Sequence, residues 1–308
     1  TDSINLNMEY LARNAYVIQL ICAVAAVFLA VILSIQLVKP FHKMSKSIDE
    51  IKTGYGEDAL SVNDYTETIE ICKKFNEMLG RMKVLDDSRQ EFVSNVSHEL
   101  KTPLTSMKVL ADSLNSMEDA PIELYKEFMG DIGNEIDRET KIINDLLSLV
   151  KMDKAAGDLN ITNININELL EQILKRLRPI ADKRNIDLIL DSFRPVEADV
   201  DELKFTSAIS NLVENAIKYN RSDGQVTVTV AKKDQNIIFS VADTGNGIPE
   251  ALKNKIFEPF FRIDKSRSRA LGGVGLGLAL VYEIVRVHNG NITVKDNPAG
   301  GTIFEIVF

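Results

Sequence analysis

The chain has 308 residues, room for about two domains with a sizeable core, which excludes a peptide hormone or a mini-scaffold. Its 36 basic and 45 acidic residues leave a formal charge of −9, which argues against nucleic acid as a partner, because phosphate backbones recruit clustered positive charge. Cys22 and Cys72 are the only cysteines, spaced for neither a metal site nor a disulfide framework, which argues against redox chemistry.

The first element is set by hydropathy. Asn14 to Val38 is 25 residues without a charge, dense in Ala, Val, Ile and Leu, and a bilayer core needs about 20 residues of helix. This predicts a transmembrane helix over 14–38. A buried soluble helix would be shorter and carry a polar face, and a signal peptide would have a shorter apolar run and a small-residue cleavage site. Lys39, Lys43, Lys46 and Lys52 follow the span, whereas Arg13 stands beside Asp2 and Glu9 before it. The positive-inside bias therefore puts everything after Val38 in the cytoplasm and residues 1–13 outside. An outer tail that begins at Thr1 rather than Met points to a longer parent chain, with another helix and a sensor ahead of it.

Three cytoplasmic pieces are expected next. Pro40 opens an amphipathic stretch ending near Lys52, Gly54 and Gly56 break it, and a helical pattern runs from Tyr65 through Met82; this predicts two short helices and an extended connector over 39–87. Phe75, Met78, Met82, Leu85, Phe92 and Val96 step like a coiled-coil seam, interrupted briefly by the polar run Asp86 to Gln90. The seam resumes through Leu100, Pro103, Met107, Leu110 and Leu114, turns over Asn115 to Pro121, and is answered by a helix from Ile122 to about Met152. That is an antiparallel hairpin over 88–156. Two helices with narrow apolar stripes cannot bury both alone, and pairing into a four-helix bundle solves this, so a homodimer is predicted. From residue 157 to 308 the texture becomes α/β, with strands Ile186–Leu190, Gln225–Ala231, Ile237–Val241, Asn291–Val294 and Thr302–Val307, and helices Asn167–Lys183, Asp201–Tyr219 and Leu276–His288.

Four strings carry candidate chemistry. In the first hairpin helix, a seam through Val96, Leu100 and Pro103 turns His98 outward, with Thr102 one turn on. Imidazole is partly neutral near pH 7 and can act as nucleophile or base, although a solvated surface histidine has the same pattern. Pro103 removes the hydrogen bond to residue 99 and loosens the adjacent turn. In the second string Asn211, Asn215 and Lys218 form a polar stripe whose amides could ligate magnesium and whose ammonium could approach a phosphate, or simply a wet face. In the third, Asp243-Thr-Gly245-Asn-Gly247 ends an apolar strand; the glycines permit close backbone approach and the carboxylate suits an exocyclic amine such as adenine N6, where a plain turn is the alternative. In the fourth, Gly272, Gly273, Gly275 and Gly277 open a helix whose exposed N–H groups could cradle a phosphate.

In this order His98-Glu-Leu-Lys-Thr-Pro, Asn211 to Tyr219, Asp243-x-Gly-x-Gly, Phe257-Glu-Pro-Phe-Phe and Gly273-x-Gly-x-Gly resemble the motif set of membrane-bound bacterial sensor histidine kinases of two-component systems, over roughly residues 88–308. Pro40, Glu67, Phe75, Asn76 and Met78 resemble the HAMP signal-relay module, with Ile69 where a glycine is usual. The resemblance implies a transmembrane helix and HAMP coiled coil, a dimeric four-helix phosphotransfer bundle with two helices per chain, and a two-layer α/β ATP-binding domain of the Hsp90-like (Bergerat) type. It implies the bacterial inner membrane as location, with the catalytic part cytoplasmic. His98 would be the phosphoacceptor, Glu99 would polarise or deprotonate it, and Thr102 would position a water for dephosphorylating the partner. Asn215 would hold magnesium with Asn211 nearby, Lys218, Tyr219 and Arg262 would contact phosphates or ribose, and Asp243 would bind adenine beside Gly245 and Gly247. Residues from about Phe260 to Gly277, with Gly273 and Gly275, would form a lid over ATP. Val274 stands where Ser or Thr is frequent, which implies a lost hydroxyl contact and weaker ATP affinity. The basic tract Lys265, Arg267, Arg269 reads equally as a solvated loop or a phosphate contact. A response regulator would dock near Thr105, Ser106, Val109 and Ser113 and receive the phosphoryl group on an aspartate.

Two other classes share some of these features. A conformational ATPase of the Hsp90 or mismatch-repair kind would carry a catalytic Glu at position 211, where this chain has Asn, and would lack the His-Glu-x-x-Thr-Pro helix. A scaffold or phosphatase-only protein would fail to bind or turn over ATP.

Overall fold

The structure is a computed structural model that describes residues 2–51, 66–117, 121–154, 159–192, 194–233, 236–264 and 273–308. It divides into two units, Thr1–Glu91 and Phe92–Phe308.

In the first unit, α1 is one helix over Asp2–Ile51. Within it Arg13–Lys46 is long and apolar enough to cross a membrane, and its most apolar 18-residue window buries no side chain. The helix therefore starts well before Asn14 and passes through Pro40 with no break into a separate short helix. A proline costs a helix one backbone hydrogen bond, and the long helical runs on both sides outlast that loss. Thr66–Asn115 forms α2. Early in it, buried Cys72 packs with Met44, Ile48 and Phe75, joining α2 to α1. The predicted connector at Gly54 and Gly56, together with Lys52 and Tyr65, lies outside the described residues. The polar run Asp86 to Gln90 does not interrupt the helix: Gln90 Nε2 donates to Asp86 Oδ2 at 3.2 Å, an i,i+4 contact that supports helix where apolar packing is missing.

In the second unit, the remainder of α2 and α3 (Ile122–Lys154) form a hairpin. Phe92, Val96 and Leu100 join Ile142, Leu146 and Leu149 in one apolar cluster, and this cluster continues into the α/β part. Much of the hairpin's apolar surface stays uncovered within one chain, including Leu104, Val109, Met129, Ile136 and Ile143.

The α/β part comprises β1 (Ile161–Asn165), α4 (Ile166–Asp182), β2 (Asp187–Asp191), β3 (Glu197–Asp201), α5 (Glu202–Lys218), β4 (Gln225–Lys233), β5 (Asn236–Asp243), α6 (Gly277–Val287), β6 (Asn291–Asp296) and β7 (Thr302–Val307). The five-stranded sheet runs β2-β4-β5-β7-β6, antiparallel except for the β2 to β4 pair. Its buried face is written in alternation: Val226, Val228 and Val230 of β4, Phe239 and Val241 of β5, Phe304 and Ile306 of β7. Register aligns Val228 with Val241 and Val241 with Phe304, so one apolar row crosses three strands. Against this face lie the apolar sides of α4, α5 and α6, including Leu170, Leu212 and Ile284. Each such buried side chain contributes roughly 1.5–3 kcal/mol.

Helix starts follow local chemistry. The Asn165 side chain caps α4 by accepting from the N–H groups of Asn167 and Glu168, and Asp201 caps α5 by accepting from Lys204 N–H. Sequence patterning overlooked the small antiparallel sheet of β1 and β3. Ile161-Thr-Asn-Ile-Asn and Glu197-Ala-Asp-Val-Asp are short and polar, and pairing with each other supplies what their apolar content does not.

Candidate functional site

The site is built where three elements end. β5 alternates Phe239, Val241 and Asp243 toward the helices, so the same periodicity that buries two apolar side chains carries a carboxylate inward at the strand's last residue. Asp243 is 7 % exposed. Its Oδ1 accepts from Gly245 N at 2.8 Å and Thr302 N at 3.2 Å, which leaves Oδ2 for a ligand. Burial pushes its carboxyl above the usual carboxylate range, and those two backbone donors pull it back.

α5 presents Asn211, Glu214, Asn215 and Lys218 to one cleft, which they share with Asp243, Gly247, Gly273, Gly275 and Gly277. The cleft has a volume of about 840 Å³, ample for a nucleotide-sized ligand. Tyr219, next along, also lines it. Lys218 is held down at about 8, first by burial and then by the nearby charges of Lys141, Arg138 and Arg184. Its Nζ lies 5.4 Å from the Tyr219 ring centroid. Asn211 Nδ2 donates to Ser207 O at 3.0 Å, whereas the Asn215 amide makes no hydrogen bond among the described residues. Asn215 therefore offers a hard oxygen to the cleft. Magnesium keeps several waters and takes the rest of its shell from one or two protein oxygens and substrate phosphates, so this donor set fits it.

The glycine run is needed for space. A Cβ on Gly273 would lie 2.6 Å from Lys218 Nζ, and one on Gly277 would lie 2.7 Å from Asn211 Oδ1. Gly275 has φ +87° and its carbonyl accepts from Phe260 N at 2.9 Å. Val274 is 8 % exposed within the core, so the position that lacks a hydroxyl serves packing. Lys265, Arg267 and Arg269 lie outside the described residues.

A second group of predicted residues sits on α2. His98 and Thr102 are exposed there and Pro103 is buried, as the seam requires. Thr102 Oγ1 donates to His98 O at 3.1 Å, which keeps its lone pairs outward. Neither residue lines the cleft. Glu99 links the groups: Arg262 Nη2 donates to Glu99 Oε1 at 2.5 Å and Arg262 Nη1 donates to Gly273 O at 3.0 Å. In this arrangement the guanidinium expected on phosphate and the carboxylate expected on the imidazole hold each other. Phe260, at φ +65°, packs its ring 5.5 Å from that of Phe92 on α2.

Sequence reasoning missed Gly301, Thr302 and the α3 residues Arg138 and Lys141. Gly301 has φ +92°, and a Cβ there would lie 2.5 Å from Asp243 Oδ1; the Gly300-Gly301 pair before a strand was a visible turn signal. Nothing in the spacing of α3 shows that it faces the cleft.

Comparison with known proteins bears on both groups. Residues 88–155 match the His Kinase A (phospho-acceptor) domain, and residues 200–308 match the histidine kinase-, DNA gyrase B-, and HSP90-like ATPase. The sensor-like histidine kinase SenX3 of Mycolicibacterium smegmatis is 35% identical over 222 residues, 72% of this chain and 58% of its own length. The chain belongs to the two-component sensor histidine kinases. The signal transduction histidine-protein kinase ArlS of Staphylococcus aureus is 28% identical over 307 residues, 98% of this chain and 68% of its own. Among solved structures, histidine kinase ThkA in complex with response regulator protein TrrA matches with a TM-score of 0.58 at 25% identity, over 80% of this chain and 68% of that one. The chain thus spans a little over half the length of SenX3.

Proposed function

We propose that this histidine kinase transfers the γ-phosphoryl group of ATP to His98, passes it to an aspartate of a response regulator, and removes it again under a signal that crosses the membrane. The single observation that carries the reading is the cleft in which buried Asp243, the Asn211 to Lys218 stripe and the glycine run converge, in a chain whose α2 carries an exposed His98.

Asp243 Oδ2 accepts the adenine amine while Gly245 and Thr302 N–H groups fix the carboxylate. Lys218 and Tyr219 take phosphate or ribose, and Asn215, with Asn211 nearby, holds magnesium. When bound there, magnesium neutralises phosphate charge. An imidazole nitrogen of His98 forms the new N–P bond as the bond from γ-phosphorus to the bridging oxygen breaks, ADP leaves, and the imidazole proton passes to Glu99 or water. Catalysis is mostly positioning and charge stabilisation. For Glu99 to serve, Arg262 must first let it go. Thr102, with free lone pairs, orients the water of the reverse, phosphatase step.

The remaining roles rest on sequence and exposed surface. Arg13–Lys46 spans the inner membrane, with the catalytic part cytoplasmic. The α1 and α2 pair around Cys72 acts as the HAMP-like relay of residues 39–87. The uncovered apolar faces of the 88–156 hairpin pair in a homodimer, and residues 157–308 form the ATP-binding domain. The outward face at Thr105, Ser106 and Val109, all exposed, with half-buried Ser113, receives the regulator; ThkA, a relative, was solved with one.

Incubating the solubilised protein with γ-labelled ATP and magnesium tests the reading. Label on wild type, stable to base and lost in acid, and absent from His98→Ala and Asn215→Ala, is expected. Label that persists in His98→Ala overturns the assignment of the phosphoacceptor.

A further inference from the structure

The cleft is not built from the ATPase domain alone. Arg138, Lys141 and Asp145, at helical spacing on α3 of the phosphotransfer hairpin, line it opposite the stripe on α5. Close to Lys218 in this part of the cleft stand the cations Arg138, Lys141 and Arg184 and the carboxylate of Glu214, with Asp145 beside Lys141 and Glu214.

Their hydrogen bonds separate the cations that hold the fold from those with donors to spare. Arg184 Nη1 is committed to the last carbonyls of α5, donating to Lys218 O at 2.6 Å and Ile217 O at 3.1 Å. Lys141 Nζ meets Glu214 Oε2 at 3.0 Å, yet its side chain stays 60 % exposed and two of its three donors remain. Among the described residues Arg138 hydrogen-bonds only to Glu135, at 3.4 Å through Nη1, and its Nε–H is buried without a partner. A buried guanidinium donor without an acceptor costs free energy. Crowding by Lys141 and Arg138 also helps hold Lys218 down at about 8. An anion between α3 and α5 relieves both costs: it accepts from Arg138 and stabilises the charged ammonium of Lys218.

We propose that Arg138 and Lys141 are phosphate-binding residues for the nucleotide, so that the phosphotransfer hairpin completes the cleft of its own chain. This rests on the nucleotide reading above. It adds that affinity for the polyphosphate depends on where α3 stands, which couples helix packing in the bundle to nucleotide occupancy.

Calorimetry on the solubilised 308-residue chain with magnesium and a non-hydrolysable ATP analogue, and in parallel with adenosine, tests it. The double variant Arg138→Gln, Lys141→Gln is expected to bind the analogue about tenfold more weakly and adenosine unchanged, and Arg138→Lys, Lys141→Arg to regain most of the loss. Equal weakening for both ligands, no weakening for either, or no recovery in the charge-preserving pair overturns the assignment. A wild type that binds neither ligand fails the nucleotide reading itself.

Discussion

Arg262 Nη2 donates to Glu99 Oε1 at 2.5 Å with the two side chains only 7 % and 15 % exposed, so the segment after Phe260 is tied to the helix turn that bears His98. The same guanidinium holds Gly273 O. Two groups that the proposed phosphotransfer would call on thereby neutralise each other until one is drawn away. Charge-assisted hydrogen bonds of this kind contribute about 1.5–3 kcal/mol each, and removing one partner leaves the other charge poorly solvated.

Arg262→Ala should therefore lower the unfolding free energy of this unit by about 2 kcal/mol, read as a shift of the urea midpoint at constant slope. Glu99→Gln should cost less stability, because a neutral amide still accepts from Arg262, and should still abolish most autophosphorylation. Equal kinase loss without any stability change in Arg262→Ala would place the guanidinium on phosphate and not on Glu99.

Lys218 gives a pH dependence with a defined sign. Its folded-state value of about 8 lies below the ordinary lysine value of 10.5, so the fold disfavours its charge. Below pH 8 both states hold the proton and the fold carries the full penalty. Between about 8 and 10.5 the unfolded chain binds more protons than the folded one, and this residue's contribution to stability rises with pH. Phosphate binding runs the other way, since it needs the ammonium. Affinity for an ATP analogue should be flat below pH 8 and weaken above it, whereas Lys218→Arg, charged throughout, should stay flat. A wild-type profile identical to that of Lys218→Arg would remove Lys218 from the phosphates.

Asp243→Asn keeps the shape but turns a doubly bonded acceptor into a weaker one facing Gly245 N and Thr302 N. Adenosine binding should fall at least about tenfold, as for loss of one charge-assisted bond. Isothermal titration with adenosine isolates this end of the cleft from the phosphate end. Unchanged adenosine affinity would mean that the base is recognised elsewhere.

Gly301→Ala tests the packing behind that carboxylate. At φ +92° an added Cβ would strike the Asp243 carbonyl and lie 2.5 Å from both Asp243 Oδ1 and Gly245 N. Strain of this kind costs about 1–3 kcal/mol, so the melting midpoint should drop and nucleotide affinity with it. Gly300→Ala meets no neighbouring atom within 4 Å and should lose only what its φ of +92° imposes.

Much of this protein was legible in one dimension because the relevant physics is local. Period-2 alternation in β4, β5 and β7 found the main sheet, and the spacing of α5 found both its buried face and its polar stripe. Asp243 was identified at a strand end whose parity later put it inside the cleft. The apolar run ending at Val38 was equally plain, though the helix around it runs farther in both directions than its composition suggested. What lacked a local signal was every contact made across distance. β1 and β3 are too short and polar to announce themselves singly, and exist because they pair. Arg262 meeting Glu99 across 163 residues, Phe260 against Phe92, and Arg138 and Lys141 facing Lys218 all follow from how the hairpin seats on the α/β layer. The sequence by itself determined which side chains can bind and react, since residue chemistry and short-range spacing suffice for that. Only the tertiary structure decided which of them meet, because those meetings depend on packing between elements that no spacing rule encodes.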